Sequence, residues 1–159
     1  MINKYSQAIL WPVNRRLSGP DMPPEEANIE LHRKFANSKG AVYWDVSRRI
    51  NRIKGPIDGY LYITAPVRMV LYKCEVTHVI SREELKAIKQ EWQFIPEWRS
   101  QCFMGRFKNG RKHKPSKTWI KMTKIKKLTE PLELNKFRKR NGTPIKNTHS
   151  GFVYVMAPK

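Results

Sequence analysis

The chain is poor in acid. Only 13 Asp and Glu stand against 32 Lys and Arg, a formal net charge of +19 over 159 residues, with a pI near 10.2. Cysteine is scarce too: Cys74 and Cys102 cannot staple a secreted scaffold, and Cys74 falls on the inward side of a predicted strand, so a reduced, cytoplasmic setting is the expectation. No apolar run approaches the roughly 18 residues of a membrane span, and no charged n-region followed by an apolar h-region opens the sequence, so neither export nor a membrane partner is expected. Phosphate-binding GxGxxG and P-loop patterns are missing, as is the GxSxG elbow of a serine hydrolase. Cys74, His78, Cys102 and His113 have spacings that match no usual zinc finger, and paired carboxylates for a metal-dependent nuclease do not occur in the basic region. No cofactor, no metal site and no catalytic residue is therefore expected.

What remains is a foldable, strongly basic chain. Hydrophobic residues make up 40% and aromatic residues 11%, which excludes a disordered chain, and the length suits one domain with its own core. A charge of +19 on so small a body repels itself, and its usual reason is a polyanion, nucleic acid first. The excess is concentrated: eleven Lys or Arg and no acid lie between Glu97 and Glu130.

The densest strand signals lie in residues 40–80. Val70, Tyr72, Cys74, Val76 and Ile80 alternate with Lys73, Glu75 and Thr77 as in a half-buried strand. Tyr60 to Ile63 form a continuous apolar run that suits a strand covered on both faces. Two or three adjacent strands with a basic helical turn between them are expected here. Residues 5–13 read as a first strand. Asp21, Pro23 and Pro24 followed by Glu25 and Glu26 mark a helix start, with Ala27, Leu31 and Phe35 as its apolar stripe. Ser81 with Glu84 forms a capping box ahead of a helix reaching about Gln93. Asn109-Gly110 predicts a hairpin joining 103–108 to 118–128, residues 131–140 suit a helical turn or two, and 152–156 a last strand. The expectation is an α+β fold: a small, mostly antiparallel barrel with helices at its edges, one domain over 1–159.

Trp44 beside Arg48, Arg49 and Arg52 reads either as an aromatic platform among cations, which suits stacked bases and held phosphates, or as a core tryptophan next to a solvated face. Trp92, Phe94 and Trp98 around Pro96 suit a pocket wall or the cap of a barrel end, and Tyr62 is a further candidate for the pocket. Arg106, Lys108, Arg111, Lys112 and Lys114 fit along a phosphate backbone.

The order of these signals resembles the PUA-like superfamily, and within it the EVE domain and the related YTH domain. The segments are VYWDVSRRINRI, DGYLYIT, VLYKCEVTHVI and WIKMTKIKKLTEPLELNKFRK. Asp58-Gly59 inverts that family's Gly-Asp, and Arg48-Arg49 stands where it often has Arg-Asn. The resemblance implies a PUA-like barrel that binds without catalysis and takes a flipped, modified base, methylated DNA ahead of RNA, into an aromatic pocket. On that resemblance Trp44 would be a wall and Arg48 would touch base or backbone; Trp98 or Trp92 would then close the pocket, with Tyr62 a further lining candidate. It also implies a fused or associated nuclease or ATPase subunit, as in modification-dependent restriction systems. The rival expectations are a plain RNA-binding module without a base pocket, an RNA-modifying enzyme or small nuclease, and a ribosome-associated structural protein.

Overall fold

The computed structural model describes residues 5–13, 24–46, 49, 50, 52, 53, 55–64, 66–105, 107, 108, 111, 112, 114–146 and 153–159. These form eight strands and three α-helices, a mixed α and β arrangement. The strands are β1 (Tyr5–Val13), β2 (Val42–Val46), β3 (Ile57–Ile63), β4 (Met69–Ser81), β5 (Phe107–Lys108), β6 (Arg111–Lys112), β7 (Thr118–Leu132) and β8 (Val153–Pro158). The helices are α1 (Glu25–Lys39), α2 (Arg82–Ala87) and α3 (Ser100–Met104).

Six strands are hydrogen-bonded in the order β2-β7-β4-β3-β1-β8, and β5 pairs only with β6. The expected barrel is not formed, because β2 and β8 end the order instead of pairing. Strands β1 and β3 run parallel from Ala8↔Asp58 to Val13↔Ile63. A parallel pair requires a crossover, here the segment that contains α1 and β2, where a meander would have used short hairpins. Strands β1 and β8, and β2 and β7, pair antiparallel. Strands β2 and β3 are thus not neighbours, and described residues 49, 50, 52 and 53 between them form no helix.

By compactness the chain divides into two units. The first draws on the residues up to 31, on 57–75 and on those from 125 onward. In it β1 is buried from Ala8 to Val13, and Tyr60 to Ile63 of β3 are buried on both faces, as the apolar run predicts. Among the described residues Leu10 is the last paired with β8, so the N–H that Pro12 lacks, two residues on, breaks no described β8 bond. One face of this unit carries Leu10, Tyr60, Tyr62, Val70, Phe137 and Val155 in a single apolar cluster. Phe137, fully buried, meets the edge of Tyr60 at 5.0 Å and contributes about 2–3 kcal/mol of hydrophobic burial.

The second unit draws on residues 32–56 and 76–124. Its core is aromatic: Tyr43, Leu85, Phe103 and Trp119 are buried together, with Trp92, Phe94 and Ile95 packed against them. Ser81 caps α2, its hydroxyl accepting from Glu84 N at 3.2 Å, as the capping box predicts. The Glu84 carboxylate is engaged by Arg52 and the Ser81 hydroxyl as well as by the Ser81 backbone amide. The helix is shorter than expected. Ile88 breaks it at φ −109°, ψ 81°, and a 3-10 turn, Lys89–Phe94, carries Trp92, whose Nε1 donates to Leu85 O at 2.9 Å.

Three further expectations shift. The 103–108 arm is not a strand paired with β7: Phe103 belongs to α3, and the antiparallel pairing is the short one between β5 and β6. The Asn109-Gly110 turn between those strands lies outside the described residues. In β4 the inward phase runs on even numbers from Val70 to Val76 and then passes to Val79, which leaves His78 exposed. In α1 the buried stripe is Asn28, Ile29, His32 and Ala36, while Ala27 is exposed. Two polar members conceal that stripe from any reading of apolar spacing. Among the described residues, no helix is long and apolar enough to cross a membrane.

Candidate functional site

The most unusual chemistry of the second unit is a buried polar cluster. His32 is fully buried on α1, Trp44 and Asp45 are consecutive on β2, Arg99 ends a short 3-10 turn (Glu97–Arg99), and Ser116 precedes β7. Arg99 is the hub. Its Nε donates to His32 Nε2 at 2.7 Å and its Nη1 to Asp45 Oδ1, while Ser116 Oγ donates to Asp45 Oδ2 at 2.6 Å. For His32 Nε2 to accept, the imidazole must be neutral with its proton on Nδ1.

Charge in so dry a place needs compensation. Burial alone would push the Asp45 carboxyl up. The Arg99 guanidinium, with hydrogen bonds from Ser116, Arg99 and Cys102, more than offsets that and holds it below its ordinary value. The aromatic residues close the cluster. His32 stacks on Trp44 at 4.2 Å between centroids, and the Arg99 guanidinium sits 4.3 Å from the same ring. Because Arg99 Nε and His32 Nε2 are hydrogen-bonded, both groups lie on one face of the indole. Trp98 meets His32 edge-on at 5.4 Å and Phe35 at 5.8 Å.

Of the four residues predicted for a base pocket, Trp44 and Trp98 are therefore brought together around His32. Trp44 is 8% exposed, and the face that meets His32 and Arg99 is already taken by protein. Trp92 joins a different cluster, edge-on to Phe103 at 5.5 Å, and Tyr62 lies in the apolar core of the first unit. The predicted phosphate contacts are placed as follows. Arg49 is exposed and Arg52 is paired with Glu84. Lys108, Arg111 and Lys112 fall on β5 and β6, and Lys114 is exposed. Arg48 and Arg106 lie outside the described residues.

The acid-free stretch also divides by role. Arg99 and Lys121 are interior: Lys121 Nζ donates to Glu91 Oε2 at 2.8 Å and lies 4.3 Å from the Phe94 ring centroid. Tyr43 Oη donates to the same Glu91 oxygen at 3.2 Å, and burial first, then Glu91, lifts the phenol far above its ordinary range. Lys114, Lys117, Lys124, Lys126 and Lys127 are exposed, Lys127 beside Glu26 at 2.9 Å.

Sequence reasoning missed His32, Asp45, Arg99 and Ser116 as a group. The available signal was a lone carboxylate directly after Trp44 in an otherwise apolar strand, with a histidine four residues from Asn28 and from Ala36 in the helix before it. Cys74 is buried and His78 exposed. Among the described residues, no three His, Cys, Asp or Glu side chains gather as a metal ion would require.

No family model matches this chain, and no curated protein does. Among solved structures it is similar to the crystal structure of ASCH from Zymomonas mobilis, at 11% identity over 92% of this chain and 86% of that one. The TM-score of that match is 0.39, too low to establish a shared fold.

Proposed function

We propose that this protein binds nucleic acid, holding a strand by the charge of its exposed lysines and arginines without performing chemistry on it. The observation that carries this reading is the excess of 19 cations over acids, together with the fate of the acids. Asp45, Glu91, Glu84, Asp58 and Glu26 are each engaged by a cation of the protein. Among the described residues, Arg49, Lys114, Lys117, Lys124 and Lys126 are exposed. Such a surface gains affinity by releasing the counterions condensed on a phosphate backbone.

The motif order shared with EVE-type domains supports a finer form: a reader of a modified base, DNA ahead of RNA, with Trp44 and Trp98 as pocket walls. In that form a base stacking on the face of Trp44 that Arg99 and His32 occupy has to displace that pair, at a cost that stacking worth about 1–3 kcal/mol has to offset.

The test is a competition titration at about 0.15 M salt, where surface attraction is screened but not abolished. Unmodified, 5-methylcytosine, 5-hydroxymethylcytosine and N6-methyladenine strands, as DNA and RNA, single and double, compete for wild type and Trp44→Phe. Salt-dependent binding to unmodified strands is expected. A preference for one modification that Trp44→Phe abolishes carries the finer form, equal affinity across the series removes it, and no affinity for any strand at low salt refutes the proposal.

A further inference from the structure

The expected helical turn at 131–140 is only a 3-10 turn, Leu134–Lys136, after which the chain doubles back as a hairpin that extends the sheet edge of the first unit. Arg138 and Met156 of β8 exchange both backbone hydrogen bonds, at 2.9 and 2.8 Å. Ile145 N donates to Phe137 O at 3.0 Å and Lys139 N to Thr143 O at 2.8 Å, which zips the two arms. Phe137 and Ile145 are buried in the apolar cluster and anchor the base.

The tip is Lys139, Arg140, Asn141, Gly142 and Thr143, all exposed. It is also fixed. Gly142 N donates to Lys139 O at 2.9 Å with Gly142 at φ +87°, and Asn141 Oδ1 accepts from both Thr143 N and Thr143 Oγ1. Residues 136–146 hold five cations and no acid. Anchoring needs only Phe137 and Ile145, so packing does not account for five like charges.

The register places aromatic rings beside them. Val155 and Ala157 of β8 point into the core, so Tyr154 and Met156 point the other way. Arg138 is directly opposite Met156, and two residues on in that antiparallel register Arg140 comes level with Tyr154. Burial raises the Tyr154 phenol and the nearby Arg140 charge opposes that, which independently puts the two side chains close. Arg138 Nε donates to Tyr5 Oη at 3.2 Å. Tyr5, Arg138, Tyr154 and Arg140 therefore form one half-exposed strip along this edge, with Lys139 at its end.

We infer that this strip is a built contact surface for single-stranded nucleic acid, with Arg138, Lys139 and Arg140 holding phosphates and Tyr154 offering its ring to a base. The inference rests on the nucleic-acid reading above and adds to it a place that the sequence-predicted residues do not include. Alternating rings and cations on a pre-fixed edge suit a single strand, whose bases are free to stack, and fixing the tip beforehand lowers the ordering cost of binding.

The test is fluorescence anisotropy with labelled poly-dT and poly-rU over a salt series, on wild type and four variants whose folding is checked by thermal melting. They are Lys139→Ala with Arg140→Ala, Tyr154→Ala, Tyr154→Phe, and a control that removes two exposed charges of α1, Lys34→Ala with Lys39→Ala. The tip variant is expected to bind about fivefold or more weakly and to lower the slope of log K against log salt by about 1.4, two phosphate contacts at about 0.7 each. Tyr154→Ala is expected to lose about fivefold or more, and Tyr154→Phe to retain binding. If Tyr154→Ala melts early, photocrosslinking of 5-bromouridine strands to the β8 peptide of wild type takes its place. Wild-type binding that the tip variant leaves unchanged, or weakens no more than the α1 control, overturns this inference and leaves the broader reading standing. Wild type without affinity for either strand overturns both.

Discussion

Removing one member of the Arg99–Asp45 pair should cost far more than a surface substitution does. The two side chains are only 10% and 12% exposed, and between them they satisfy His32 Nε2 and meet the Ser116 hydroxyl. Arg99→Met leaves a buried carboxylate without its counter-charge and His32 Nε2 without its donor, so the loss should lie in the range of about 3–5 kcal/mol for breaking a buried ion pair. For a protein of this size that corresponds to a fall in Tm of about 10 °C or more. Asp45→Asn is the milder change and should cost about 3 kcal/mol near neutral pH. The double variant should recover part of the loss, since neither charge is then left alone.

The pH dependence has a definite sign. Asp45 has its carboxyl pKa lowered in the folded state, against about 3.9 when unfolded. Its ionised form therefore favours folding at pH values above about 4, and the contribution disappears as the pH falls below that through the folded pKa. The gap between wild type and Asp45→Asn should stay constant from about pH 7 to pH 5 and close towards acid. Urea unfolding of both proteins across that range measures it directly. A gap that widens on acidification, or Arg99→Met within about 1 kcal/mol of wild type, would refute the assignment of the cluster as a buried ion pair.

Cys74 is fully buried, and burial, helped by Asp58 and Glu75, pushes its thiol well above the ordinary range. A thiol reagent at mild pH should therefore spare Cys74 in the native protein and modify both cysteines in denaturant, as peptide mapping would show. Tyr43→Phe deletes the donor to Glu91 while keeping the ring, so it should cost about 1 kcal/mol; an ultraviolet titration should show at least one fewer tyrosine ionising before alkaline unfolding in wild type than after it. Gly142→Ala meets open space but must adopt φ +87°, so it should destabilise the 137–145 hairpin by about 1 kcal/mol, read as faster amide exchange at residues 139 and 142 with little change in Tm.

How much of this was legible depended on whether burial and hydrophobicity coincide. Along β3, in the first half of β4 and at Trp119 they do, and the apolar pattern locates each. The α2 cap was legible because it is local, involving residues three apart. The parallel pairing of β1 with β3 is not local, and no spacing within either strand records it. Hydrophobicity fails outright for α1, where Asn28 and His32 occupy the most buried positions and turn the stripe away from Ala27.

The cations show the same failure with opposite consequence. Arg99 and Lys121 belong to the longest acid-free stretch and look like surface charge in sequence, yet each is committed inside to a carboxylate far along the chain. The run Arg138-Lys139-Arg140, which reads as the end of a helix, instead becomes the inner arm and tip of a hairpin. Net charge weighs every lysine and arginine equally. The positions of Asp45 and Glu91 are what set Arg99 and Lys121 apart as cations that hold this protein together.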